Sequence, residues 1–173
     1  FGLMDALCGP GSYEIGQLTE DLGKTPRLLD PGITIKPYPN CWAHHKVLQA
    51  VLELRERYGI RPEEVERVLV DLQMDKPTYR YRLPKTDLEA RYSLSYGIAL
   101  ALLDGELTLR QYAEDRITRA DSVEMMERIV DTPASGAGQQ TVVLLLRDGR
   151  RYENSVRFSK GHPLHDPLRL EEL

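Results

Sequence analysis

The stretch Ile35-Lys36-Pro37-Tyr38-Pro39-Asn40-Cys41-Trp42-Ala43-His44-His45 gathers the side chains best able to do chemistry in this chain of 173 residues. A lysine ends an expected strand, two prolines stiffen the bend after it, and a cysteine and a histidine pair open the expected helix. Helix starts leave backbone N–H groups unpaired and carry the positive end of the helix dipole, so they favour anions. An ammonium group beside such a turn adds a full positive charge, and the combination suits a carboxylate ligand. A lysine at a strand end is also commonly just solvated, and that reading stands beside the functional one. At roughly 100° per residue, His44 falls near the centre of the apolar stripe, as a packed histidine does. Cys41 and His45 fall towards its edge, where His45 has the better geometry for reaching a ligand.

Other chemistries find weaker support. Cys41-x-x-His44 and His162-x-x-His165 offer donors of the right softness for zinc. The two pairs lie more than a hundred residues apart, however, and Pro163 interrupts the second. Gly9-Pro10-Gly11 and Gly136-Ala137-Gly138 lack the spacing of a phosphate-binding loop. No serine sits in a nucleophile-elbow context. Glu63-Glu64 and Glu171-Glu172 read as surface carboxylates. Tyr79 and Tyr81 with Arg80 and Arg82 read either as an aromatic-basic loop or as an edge segment packing its rings on the body.

The elements expected to position these groups are strands and helices in alternation. Ile33–Lys36 alternates as a half-buried strand does, and Pro37 and Pro39 stop it. Residues 41–58 have helical period, closed by Gly59. Val65–Leu72 alternates as a strand. Thr86-Asp87-Leu88-Glu89 is a capping-box sequence opening a helix over 87–103, and a third helix is expected at 121–130. Pro133–Gln140 reads as a connector. Residues 141–147 and 151–158 flank Asp148-Gly149, a strong hairpin signal. The order predicts one α+β domain over residues 1–173, with a mostly antiparallel sheet of about four strands and helices packed on one face.

Composition narrows the function. The chain has 41% hydrophobic and 29% charged residues and a net charge of −4. Its basic residues interleave with acidic ones, as in Glu53-Leu54-Arg55-Glu56-Arg57, which leaves no footprint for nucleic acid or an anionic membrane. No apolar run approaches the roughly 18 residues of a membrane span, and no signal peptide is visible. Two cysteines, Cys8 and Cys41, do not make a disulfide framework, so a reducing, cytoplasmic setting is expected. Phe1 stands where an initiator Met would, as in a chain excerpted from a longer protein.

With these residues assembled, Leu29–Cys41 resembles the "PGI-x-IKPYP-x-C" segment of the MmgE/PrpD family, with His45 and Ala50-Val51-Leu52-Glu53-Leu54-Arg55 in the places of the following His and helix. Ile60-x-Pro62-x-x-Val65 and Glu89-Ala90-Arg91-Tyr92-Ser93 resemble further family segments in order, as do Asp148-Gly149 and Gly161-His162-Pro163. The resemblance implies the smaller C-terminal domain of a two-domain enzyme, preceded by a helical N-terminal domain as its partner, with the active site between them. It implies a lyase or isomerase, 2-methylcitrate dehydratase-like, acting on a small polycarboxylate without metal or organic cofactor. Such chemistry develops negative charge beside carboxylates and needs positive groups aimed at it. The resemblance assigns Lys36 and His45 catalytic roles and makes Lys36, Cys41, His45 and Arg91 the substrate contacts. Cys41 departs from the histidine of the decarboxylase branch, which disfavours cis-aconitate, and the surroundings of Lys36 differ from those in the dehydratase branch. The isolated chain is expected to be inactive and to self-associate, a homodimer being one outcome. A non-catalytic binding module of the same fold is the alternative from another class, and a zinc-binding domain the third.

Overall fold

A computed structural model describes residues 2–24, 26–71, 81–133 and 138–172. Backbone contacts divide the chain into two compact units, Phe1–Ile33 and Thr34–Leu173. The first holds two short helices, α1 (Leu3–Cys8) and α2 (Ile15–Thr19), joined by turns. Asp5 ties its start together, accepting from the Gly2 N–H at 2.8 Å and the Tyr13 hydroxyl at 2.9 Å. None of its described apolar side chains is buried.

The second unit is α+β. Helix α3 (His45–Tyr58) leads to strand β1 (Val65–Asp71). Helices α4 (Asp87–Arg91), α5 (Leu94–Leu103), α6 (Glu114–Ile117) and α7 (Ala120–Glu127) follow, then strands β2 (Ile129–Thr132), β3 (Gln140–Leu146) and β4 (Arg151–Val156) and a last 3-10 turn, Leu170–Glu172. The sheet has the order β2-β1-β3-β4. β1 pairs parallel with β2 and antiparallel with β3, which pairs antiparallel with β4. Parallel pairing needs a crossover, and α4–α7 supply it.

The core forms where α3 lies on β3 and β4 and α5 lies on α3 and α7. Val47, Leu48, Val51 and Leu54 of α3 meet Val68 and Val70 of β1 and Val142, Leu144 and Leu146 of β3, all fully or almost fully buried. Each such side chain contributes about 1.5–3 kcal/mol on leaving water. α5 is apolar all round because it is enclosed all round, with nine of its ten residues buried.

Four expectations change. Ile33–Lys36 is no strand: its one bond of ladder type runs from the Ile35 N–H to the Gly161 carbonyl at 3.1 Å, and Ile33 and Ile35 stay exposed. β2, at the end of the expected third helix, is the fourth strand instead. The helix expected over 87–103 breaks at Tyr92, because the Ser93 hydroxyl accepts from the Tyr96 N–H at 3.2 Å and caps a new helix. The capping box is also half formed. Thr86 Oγ1 accepts from the Glu89 N–H at 3.3 Å, but the Glu89 carboxylate takes the Lys85 N–H at 2.7 Å. The hairpin stands as read, with Gly149 at φ 88° and Asp148 accepting from the Arg150 N–H at 3.0 Å. Leu72, Tyr79, Arg80 and residues 134–137 of the connector lie outside the described residues.

Candidate functional site

The bend after Lys36 is organised around Asn40, which is 3% exposed. The Asn40 backbone carbonyl accepts from Lys36 Nζ and from His45 Nε2, each at 3.3 Å. Its side-chain Nδ2 donates to the Arg91 carbonyl at 3.4 Å, and its Oδ1 accepts from the Tyr112 hydroxyl. The Cys41 N–H donates to the same Arg91 carbonyl at 2.9 Å. The proline-braced turn is thus fastened to the end of α4 and to the 3-10 turn Leu109–Tyr112, and it delivers the chain into α3 through a second 3-10 turn, Trp42–His44.

Lys36, Cys41 and Arg91 line one open cleft of about 350 Å³, with Pro39, Asn40, Leu88 and Tyr92 as its remaining wall. Two cations on one wall draw anions, partly offset by Asp87, whose carboxylate pairs with Arg91 Nη2 at 3.3 Å. Arg91 also has a buried Nε without a hydrogen-bond partner among the described residues. Larger clefts lie elsewhere in this unit. One, lined by Glu53, Glu56 and Asp166 with Arg55 and Lys160, sets three carboxylates against two cations; another, beside Trp42 and His162, has Lys46 alone as a full positive charge.

His45 joins the group differently from its expected place. It is 0% exposed and lines none of these clefts. Its ring packs against Tyr38 at 5.3 Å and Trp42 at 4.8 Å between centroids. A carbonyl cannot donate, so Nε2 carries the proton in the bond to Asn40, and Nδ1 is buried without a partner among the described residues. Burial pushes the imidazole down to about 4, with the Lys36 charge acting in the same direction and the Asn40 carbonyl against it. At neutral pH His45 is therefore an uncharged donor bracing the turn. Tyr38 is pushed up to about 12 by burial, then by Glu53 and Asp166. His44, 1% exposed, is packed as its place on the stripe indicated.

Among the described residues no three His, Cys, Asp or Glu side chains gather as a metal centre requires. His165 instead stacks on Phe158 at 3.7 Å, with His162 edge-on to the same ring at 5.2 Å. Of the aromatic-basic segment, the Arg82 carbonyl accepts from the Ser95 hydroxyl at 2.9 Å, which ties it to the start of α5.

Asn40 and Tyr112 are the members of the site that sequence reasoning does not single out. One signal does bear on Asn40. Gly97 sits inside α5, where glycine costs about 1 kcal/mol. A Cβ there would lie 2.9 Å from Leu48 Cδ2 and 3.2 Å from Asn40 Nδ2, so the glycine marks the close seat of the amide.

Comparison with known proteins adds two findings. A family model described as the MmgE/PrpD C-terminal domain matches residues 38–173. The chain is 24% identical over 187 aligned residues to a mouse (Mus musculus) protein named cis-aconitate decarboxylase, the match covering 99% of this chain and 38% of that protein. The chain thus spans well under half the length of the curated relative it matches. Among the described residues no helix is long and apolar enough to cross a membrane.

Proposed function

The chain belongs to the MmgE/PrpD family, and from that premise we propose that it is the substrate-facing domain of a lyase or isomerase acting on small polycarboxylates without a cofactor. The observation that carries this reading is the cleft in which Lys36 and Arg91 stand together over the braced turn. Loss of water, of CO₂ or of a proton from a polycarboxylate builds negative charge next to charge already present. The barrier falls when cations fixed in advance meet that charge. Lys36 is the clamp and stabiliser of the developing charge, Arg91 holds a second carboxylate, and Cys41 faces the substrate between them. His45 acts one step back, through the Asn40 carbonyl that seats Lys36.

A helical domain of the same protein supplies the opposite wall of the site. The exposed apolar side chains at the cleft rim, Leu88 at 63% and Tyr92 at 50%, support this, as surfaces such a domain would cover. Turnover of cis-aconitate, 2-methylcitrate and iminodisuccinate by the full-length protein tests the proposal. Lys36→Ala is expected to lower kcat on the accepted substrate by about 100-fold or more, and the isolated 173-residue chain is expected to turn over none of the three. Unchanged kcat in Lys36→Ala, or turnover by the chain alone, overturns the reading.

A further inference from the structure

The polar groups beneath the cleft form one connected path. The Tyr96 hydroxyl donates to the Gln111 carbonyl at 2.7 Å and fixes the turn that carries Tyr112. The Tyr96 and Tyr112 rings meet edge to face at 5.7 Å. The Arg91 carbonyl can only accept, so the Asn40 amide must turn Nδ2 towards it and Oδ1 towards Tyr112, whose hydroxyl then donates. That orientation leaves the Asn40 main-chain carbonyl for Lys36 and His45. Gly97 presents bare helix backbone beneath the amide.

Buried hydrogen bonds of this kind add little net stability, and an apolar pair of similar volume packs a core about as well. What a fully paired buried network does deliver is a single geometry. It stands here beneath the cleft that Lys36 and Arg91 line.

We propose that Asn40, locked by Tyr112, is the positioning residue of the cleft, holding the Lys36 ammonium and the Arg91 end of α4 at a fixed separation. This rests on the reading of Lys36 as the working cation. The charged or titratable groups around the amine are His45 behind it and Cys41, Arg91 and Tyr92 along the cleft, with Asp87 paired to Arg91. None of them replaces the carbonyl seat. Without Tyr112 the amide can rotate, the turn relaxes, and the ammonium samples positions outside the one that meets developing charge. A displacement of that size costs rate more than binding.

The test reads Lys36 itself. In the full-length protein, reductive methylation with ¹³C-formaldehyde gives each lysine an NMR signal, and Lys36→Ala assigns the one from this residue. The wild-type signal is expected away from the position of freely exposed lysines. Tyr112→Phe and Asn40→Asp, the latter turning an acidic oxygen on the Arg91 carbonyl, are expected to move it to that position. With cis-aconitate as probe, Tyr112→Phe is expected to lower kcat about tenfold or more while KM changes less than about threefold. If Lys36→Ala leaves turnover intact, the proposed function fails. If Lys36→Ala abolishes turnover but both other variants keep the wild-type kcat and Lys36 signal, the positioning role fails and the function stands. Should cis-aconitate not be turned over, the Lys36 signal alone decides, and should Tyr112→Phe not fold, Asn40→Asp gives the same readout.

Discussion

His45 shows how a chemically able side chain is diverted by its surroundings. Enclosure between Tyr38 and Trp42 makes its charged form costly, and its pKa falls from the usual 6.5 to about 4. An unfolded chain therefore takes up a proton between those values that the folded chain refuses. The stability contributed by the neutral ring is present in full above about pH 6.5 and is lost as pH falls towards 4, on the order of 3 kcal/mol in all. Unfolding free energy should decline more steeply over that window in the wild type than in His45→Gln. The Cε1 proton resonance of His45 should stay flat from pH 8 to 5; an ordinary titration near pH 6.5 would remove the argument. The same enclosure makes Lys36, Cys41 and Arg91 the cleft-facing members of the expected set and leaves His45 a supporting one.

At the level of elements, the approach to Lys36 is set by a glycine. Gly161 has φ 87°, and a Cβ on it would stand 1.9 Å from the Ile35 carbonyl oxygen. Gly161→Ala must push the segment before Lys36 away from the loop after β4 and also strain its own backbone. It is expected to destabilise the protein by about 2 kcal/mol or more in denaturant unfolding; a change within about 0.5 kcal/mol would contradict the contact. This close approach also explains why Ile33–Lys36 misleads. Alternation reports two unlike faces, but a strand needs a neighbour along its length, and Ile35 meets one carbonyl only. The hairpin was legible because Asp148 and Gly149 encode their own turn through short-range bonds. β2 was hidden because four residues carry too short a pattern to stand out from a helix end. Asn40 and Tyr112 were hidden for a different reason: their bond spans 72 positions, and no local pattern foretells it.

For the whole molecule, the second unit has a closed core while the first does not. Leu3, Leu7, Ile15, Leu22, Leu28 and Leu29 of the first unit are each more than two-thirds exposed. Where such side chains adjoin, another surface is expected to cover them. Alone at micromolar concentration the chain is expected to scatter light as dimers or larger species, and the full-length protein, with the proposed helical domain covering these side chains, to show less of this. A strictly monomeric isolated chain would argue against that cover. The sequence contains one tryptophan, Trp42, and its indole rests on the His45 imidazole at 4.8 Å. The indole is thus an optical probe in the 3-10 turn that follows the Lys36 bend. Emission from this chain needs no label to report on its innermost histidine, and any disturbance of the turn is written into the colour and yield of one ring.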